Sequence, residues 1–370
     1  MKRQYLVVGI VVLLCGCGAP KPVAKPFFGN DDSGLPKFKL IQVLDGTLVQ
    51  LSESGTVLYE PRSRPGYHGN EISATSQSNL VSFRDLHYST ATPQLCSFRE
   101  GKIETVPGNS FVDSSGKIHP YLVDRPISVS ESGKKIGLLP IRVPSDHFRY
   151  YSGINCIYAS DIKTGEMMKI WDRPLGSNIK NFDDILYMGE QFPDISTRIV
   201  RFGPHQTSQS IYQTPHGYLV YVTDRSGDGT IAIRDASQMH LQNELGKQES
   251  IESANLDLHF MNYRGRKYVL GFAVSKDANG LEKNNTPAIW NRDKKPVPFS
   301  KLCPELMSKV VRISSMQTAK ILANRSGLVA IEMSGYNLGP GNSSGIPESD
   351  GDYVFKTYVL QVIDEPESKK

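Results

Sequence analysis

The run Asp224-Arg225-Ser226-Gly227-Asp228-Gly229-Thr230-Ile231-Ala232-Ile233-Arg234-Asp235 has the residue types and spacing to surround a calcium ion. Calcium takes several hard oxygen ligands in a flexible shell. Asp224, Ser226 and Asp228 stand at alternate positions, so their oxygens can turn toward one centre, and the Thr230 carbonyl can add another. Gly229 permits the sharp turn and Asp235 closes the set.

This order, D-x-S-x-D-G-x-I-x-x-x-D, resembles the EF-hand-like calcium loops. The resemblance implies a structural calcium held by Asp224, Ser226, Asp228, Thr230 and Asp235. Two features depart from the family. Asp235 stands where a longer Glu is usual, and Tyr218–Val222 reads as a strand in front of the loop instead of a helix. An ordinary Asp/Gly hairpin turn accounts for the same residues without an ion.

Other chemistry is thinly supported. Gly341-Asn-Ser343-Ser-Gly345 matches G-x-S-x-G, but its Gly/Pro-rich flanks supply neither the strand nor the helix that a nucleophile elbow needs. Eight histidines are scattered without a metal-binding pair. Asp183 and Asp184 form a carboxylate pair, yet neighbours on a strand point to opposite faces. Tyr150, Tyr151, Tyr187 and Tyr212 can line a binding face or pack in the core, and the second role is the commoner one. Cys96, Cys156 and Cys303, spaced 60 and 147 residues apart, match no metal knuckle. One disulfide with one thiol left over, or buried thiols acting as small apolar groups, both fit.

The elements that would position these residues are short alternating strands. Phe38–Leu44 and Thr47–Leu51 flank Asp45-Gly46, which predicts a hairpin. Further strands are expected at 154–160, 169–172, 218–222, 230–234, 267–274, 288–291 and 353–363, and short helices at 238–245 and 304–311. A motif recurs: apolar residues, a Ser/Asp-rich turn with Gly, then apolar residues. It appears as Ser52-Glu-Ser-Gly55, Ser130-Glu-Ser-Gly133, Asp113-Ser-Ser-Gly116, Asn324-Arg-Ser-Gly327 and, more loosely, at 72–81. With decayed copies the period is about 40–50 residues, the size of a four-stranded propeller blade. About seven such blades fill the chain from Phe38 onward. Paired β-sandwiches are the alternative all-β arrangement.

The stretch Ala319-Lys-Ile-Leu-Ala-Asn-Arg-Ser-Gly-Leu-Val329 resembles one half of the HAF-type extracellular repeats. Thr286-Pro-Ala-Ile-Trp290-Asn-Arg-Asp293 and Pro93–Gly101 resemble the other half, without its signature histidine. That resemblance implies a propeller-like β fold and no particular activity.

Lys2 and Arg3 precede a ten-residue apolar run, Tyr5–Leu14, too short to cross a bilayer. The run ends in Leu14-Cys15-Gly16-Cys17, which resembles the lipobox of bacterial lipoproteins. The resemblance implies cleavage before Cys17 and attachment of acyl chains, palmitate among them, to that residue. Gly18 in the sorting position implies the outer membrane over the inner. Residues 1–16 are therefore expected to be a signal peptide and 17–37 a Pro-rich tether. A β-propeller-like domain is expected at 38–364 and a polar tail at 365–370.

Loss of Lys2 and Arg3 with the signal leaves 40 basic against 38 acidic residues. Such a balance argues against nucleic-acid binding. The expectation is a lipid-anchored binding module that meets a protein or glycan at the cell envelope. The alternative is a propeller hydrolase acting on glycan or peptide, its carboxylates supplied by separate blades.

Overall fold

The computed structural model describes residues 35–61, 95–120, 126–251, 257–276, 282–307, 318–336 and 353–363, less 109, 142, 144, 193–195, 219, 237, 292 and 293. The expected signal peptide, Cys17, nearly all of the expected tether, the expected polar tail, the motif copy at 72–81 and the serine loop at 341–345 lie outside the described residues.

Within the described residues the chain is all-β, apart from two one-turn helices. Successive strands pair antiparallel with their sequence neighbours into sheets of about four. One sheet runs β12 (Ser177–Phe182), β13 (Ile185–Gln191), β14 (Thr197–Gly203), β15 (Gln206–Thr214). The next runs β16 (Val220–Arg225), β17 (Ile231–Asp235), β18 (Gln238–Gln242), β19 (Gln248–Ile251). A third runs β20 (His259–Tyr263), β21 (Arg266–Lys276), β22 (Glu282–Trp290), β23 (Pro296–Pro298). The first strands of successive sheets touch one another, β12 against β16, β16 against β20 and β20 against β24 (Thr318–Ala323), and the last strand is the least buried. Val220, Val222 and Thr223 of β16 are buried, whereas Gln248 and Ser250 of β19 are exposed. The first strand is therefore innermost and the fourth lies at the rim.

The chain closes on itself through β1 (Lys37–Leu51). Residues 37–45 pair with β26 (Tyr353–Ile363), and residues 46–51 pair with β2 (Val57–Pro61). One strand thus serves as the outer strand of the last sheet, after β24 (Thr318–Ala323), β25 (Leu328–Tyr336) and β26. It is also the inner strand of the first sheet, before β2, β3 (Leu95–Arg99) and β4 (Lys102–Val106). The expected hairpin at Asp45-Gly46 does not form. Gly46 (φ 157°) keeps the chain extended where a Cβ would sit 2.2 Å from the Glu60 carbonyl oxygen, so its lack of a side chain serves close approach rather than a turn.

β8 (Lys134–Ile141) is shared in the same way. Its first part pairs with β7 (Ile127–Glu131), and its last three residues pair with β9 (Phe148–Ser152), followed by β10 (Ile157–Asp161) and β11 (Met167–Trp171). The hairpin of β5 (Ser110–Val112) and β6 (Ile118–Pro120) precedes β7, so the two hairpins together occupy the second blade's place.

Among the described residues, seven hydrophobic clusters then join the sheets in a ring. Leu58, Leu95 and Val112 join blades 1 and 2; Leu138, Tyr151 and Cys156 join 2 and 3. Ile157 and Trp171 meet Leu186 and Phe202 between 3 and 4; Tyr187 and Ile199 meet Val222 and Ile233 between 4 and 5. Leu241 meets Phe260 and Trp290 between 5 and 6; Leu270 and Phe272 meet Ile331 and Tyr358 between 6 and 7. Leu328, Ala330 and Val359 meet Leu48 and Tyr59 between 7 and 1. Every sheet buries both faces, each against the next, which is the propeller solution to unpaired apolar faces. α1 (Phe299–Leu302) and α2 (Pro304–Met307) insert Phe299, Cys303 and Leu306 into the cluster between blades 6 and 7.

The recurring Ser/Asp-rich motif is the inner hairpin turn of a blade. Residues 52, 113, 226 and 324 each donate a backbone N–H across the turn, to residues 56, 117, 230 and 328, and each accepts from a glycine three positions on. Ser130-Glu-Ser-Gly133, though identical in sequence to Ser52-Glu-Ser-Gly55, forms a two-residue turn with Ser132 and Gly133 both at positive φ. Gln238–Leu245, expected to be helical, is the strand β18 and the turn after it. Its Met239 and Leu241 bury against blade 6, and that burial overrides local preference. The helix expected at 304–311 is present as α2 over Pro304–Met307, and residues 308–311 lie outside the described residues.

Candidate functional site

The residues proposed for calcium occupy β16, its hairpin turn and β17, but they do not converge. Asp224 accepts the backbone N–H groups of Arg225 and Phe260, each at 2.7 Å, and lies 3.6 Å from His259 Nδ1. Ser226 donates its hydroxyl to Asn262 Oδ1 at 2.8 Å. Asp228 accepts the Thr230 N–H at 3.1 Å and faces the Lys267 ammonium at 2.9 Å, which also donates to Thr230 Oγ1 at 2.8 Å. Asp235 lies at the far end of β17, where it accepts the Tyr212 hydroxyl at 2.7 Å. Lys267 thus stands where a cation would stand, and the fifth ligand is a strand's length away. This residue set does not fit a calcium ion. Among the described residues, no three His, Cys, Asp or Glu side chains gather as a metal site. Burial works to raise the Asp228 carboxyl, and the hydrogen bond and charge of Lys267 together with the Thr230 hydrogen bonds outweigh it and hold the group below its ordinary value.

These turns do something else. They form a ring of blade-to-blade contacts on one face. Asn324 donates to Ser52 O, Ser54 N–H donates to Ser114 O, and the Ser114 hydroxyl donates to Asp146. His147 Nδ1 lies 2.7 Å from Asp184, Arg225 pairs with Asp183 at 3.1 Å, Lys267 pairs with Asp228, and Tyr263 lies against Gly327. Asp183 and Asp184 are the two positive-φ residues of the β12–β13 turn and serve opposite neighbours. Tyr150, Tyr151, Tyr187 and Tyr212 are buried between sheets, in the packing role. Cys96, Cys156 and Cys303 are buried, unpaired thiols in separate blades, so no disulfide forms among them.

A different cluster occupies the channel bordered by the inner strands. Lys180 (β12), Asp224 (β16) and Lys320 (β24) stand on inner strands, and Asp257 lies just before β20. Lys320 donates to the carbonyls of Val49 at 2.8 Å and Leu48 at 3.4 Å, across the seam between blades 7 and 1. Its cross-strand partner Glu332 accepts the Leu48 N–H at 2.9 Å. Asp257 accepts the Tyr221 hydroxyl at 3.2 Å and Arg234 at 3.3 Å.

Electrostatics tie these groups together across the ring. Burial pushes the Lys320 ammonium down to about 8; Glu332 pulls it up, Lys180 pushes it down and Asp257 pulls it up. Burial also lowers Lys180, against the pull of Asp257 and Asp224. Lys180 belongs to blade 4 and Lys320 to blade 7, and the Lys180 charge is felt at Lys320. Tyr221 is raised to about 12 by burial and by Asp257. Such an assembly can hold an ionic or strongly polar group.

Sequence reasoning missed this cluster. The available signal was a lysine inside an apolar inner-strand pattern: Lys320 in Ala319–Ala323 and Lys180 next to Ile179. A buried lysine marks either a paired structural charge or a functional position.

No family model matches the chain, and no curated protein matches it. Among solved structures it is similar to virginiamycin B lyase from Staphylococcus aureus, at 12% identity and a TM-score of 0.45, covering 88% of this chain and 100% of that one. It is also similar to a chain of a mitotic checkpoint complex, at 11% identity and a TM-score of 0.43, covering 94% and 99%. Regucalcin from Agrobacterium tumefaciens, a calcium-binding protein, aligns at 9% identity and a TM-score of 0.32, covering 90% and 94%. The ring of seven blades described above stands on this chain's own pairing and packing.

Proposed function

We propose that this chain is a lipid-anchored envelope protein whose seven-bladed propeller binds another molecule at its central channel and catalyses no reaction. The observation that carries the binding reading is the channel cluster. Charged side chains from blades 4, 5, 6 and 7 influence one another there, while Asp224 and Asp257 have oxygens engaged by backbone N–H groups, Arg234 and Tyr221. Carboxylates held in this way orient and bind more readily than they shuttle protons.

The anchor supports the location. Cys17 in Leu14-Cys15-Gly16-Cys17 carries the lipid in this reading, and Gly18 directs it to the outer membrane. Several acyl chains on one residue hold a protein essentially permanently, where one would not. A tether of about 20 residues reaches at most ~70 Å, so the partner lies near that membrane. Incorporation of labelled palmitate into the wild type, abolished by Cys17→Ser, tests the anchor; incorporation that persists in the variant refutes it.

Affinity capture of the tagged protein from solubilised envelopes tests binding. One reproducible protein or glycan-bearing partner, lost on Arg234→Ala, is the expected result. The hydrolase alternative draws on the nearness of Asp224, Asp257 and His259. Turnover of a glycan or peptide panel that is abolished by Asp257→Asn would replace the binding reading with it.

A further inference from the structure

We propose that the outer edge where blades 7 and 1 diverge is a membrane-docking surface, which lays the propeller against an anionic lipid bilayer. This goes beyond the channel-binding reading. It rests on that reading only in taking the lipid at Cys17 as what brings the chain to the membrane.

Strand register builds the surface. Val359 and Leu328 pack between blades 7 and 1. The same face of β26 therefore carries Gln361, the partner of Leu328, and then Ile363. Lys39 and Lys37 stand opposite those two on β1. Across the seam, Phe98 packs in the same cluster, so its cross-strand partner Ile103 faces blade 7. Packing ends before these outer positions. Ile363 is 46% exposed and Ile103 51%, and both lysines are exposed. Ile41, in the bulge between Leu40 and Gln42, adds another apolar side chain, 43% exposed.

Both sides of the edge belong to one end of the propeller. Gln361 donates to Ser326 O, and the Val362 N–H donates to Gly327 O, both in the inner turn of blade 7. Asn324 of that turn donates to Ser52 O in the inner turn of blade 1. Ile103 follows the β3–β4 turn, which lies at the same end because successive turns of a blade alternate between ends.

Two observations select a bilayer as the occupant. The first is where the chain arrives. The described residues open at Leu35 and Lys37 pairs with Ile363, so the segment bearing Cys17 joins the fold at this edge. A tether keeps the domain at high local concentration, and docking too weak for a free protein is then populated. The second is composition. Exposed isoleucines flanked by lysines match the boundary between acyl chains and anionic headgroups. Lys39 forms no ion pair among the described residues. A second copy seated here about a twofold axis would set lysine against lysine.

The test uses the full chain on vesicles of phosphatidylcholine, with and without phosphatidylglycerol. Cys96, Cys156 and Cys303 are buried, so a thiol-directed fluorophore reports from Ile363→Cys, Ile103→Cys or, in the β9–β10 turn at the opposite end, Ile154→Cys. With phosphatidylglycerol present, a lipid-borne quencher is expected to act about threefold more strongly at the two edge positions than at the distal one. The difference should collapse in molar salt, and in the double variant Lys37→Glu, Lys39→Glu. Equal quenching at all three positions overturns the surface, as does quenching indifferent to both phosphatidylglycerol and salt. Shielding of the Ile363→Cys label in detergent, in protein that sediments as a dimer, would assign the edge to a second copy instead. Sedimentation with both kinds of vesicle but without selective quenching refutes docking and leaves the anchor standing. Selective quenching with sedimentation only on phosphatidylglycerol refutes the anchor and leaves the docking surface standing.

Discussion

Lys267 reaches from blade 6 to place its ammonium 2.9 Å from the Asp228 carboxylate in the inner turn of blade 5. It also donates to Thr230 Oγ1 at 2.8 Å. The lysine side chain is only 9% exposed, so the pair is made largely away from water. A loop with the spacing of a calcium site is in this way neutralised from within the fold.

Calorimetric titration of the full chain with calcium is therefore expected to give no saturable heat at millimolar concentration, with or without prior chelation. Saturable binding that disappears in Asp228→Asn would show that Lys267 yields its place to the ion.

Removing the lysine alone should be costly. Lys267→Met leaves Asp228 without its cation, and breaking a buried pair from one side costs about 3–5 kcal/mol. Asp228 has a depressed carboxyl, so this contribution is present above the unfolded-state value and is lost as pH falls through the folded-state value. Denaturant unfolding should show the gap between wild type and variant at pH 7 narrowing toward pH 3. A gap that is equal at both pH values would contradict the assignment.

The same region shows how far sequence reaches. The alternation of apolar residues and the Ser/Asp-x-x-Gly turns made the all-β blade pattern and its number legible, because local turn chemistry and strand periodicity repeat in every blade. The sites were not legible. Asp224 and Asp228 are satisfied by Phe260 and Lys267, more than 30 positions away. Lys180 acts on Lys320 across the fold, although 140 positions separate them in sequence. The turn expected at Asp45-Gly46 failed for a related reason: a glycine chosen for close packing on Glu60 has the same letter as one chosen for a turn.

That glycine yields a sharp expectation. Gly46 lies where β1 leaves blade 7 and enters blade 1, and an added Cβ would meet the Glu60 carbonyl at 2.2 Å and the Tyr59 ring at 2.9 Å. Neither the carbonyl nor the paired strand can move without disturbing the ring closure. Gly46→Ala should destabilise the fold by about 1–3 kcal/mol, the usual range for overpacking. Gly137→Ala, where nothing lies within 4 Å, should stay within about 0.5 kcal/mol of wild type. Equal melting temperatures for the two variants would remove the steric argument.

Lys320 shares the sign of the Asp228 pH dependence but acts in a higher window. Its folded-state value, about 8, lies below the ordinary 10.5 of a free lysine because burial outweighs the pull of Glu332 and Asp257, while Lys180 adds repulsion. The unfolded chain therefore binds the proton more tightly. Between pH 8 and 10.5 the folded state gives up its proton while the unfolded state keeps it, so this group's contribution to stability rises with pH across that window. Below pH 8 the charged lysine is a net cost. Tyr59, Tyr212 and Tyr221 act the other way above pH 10, since each is raised in the fold, so the lysine's effect has to be read as a difference between variants. Lys320→Met should be more stable than wild type at pH 7 by about 1–3 kcal/mol, with the advantage shrinking toward pH 10. Denaturant midpoints measured for both proteins at pH 7, 8.5 and 10 check this. A wild type that holds a constant advantage over the variant at all three values would mean that the hydrogen bonds to Leu48 and Val49, and not the buried charge, dominate at this position.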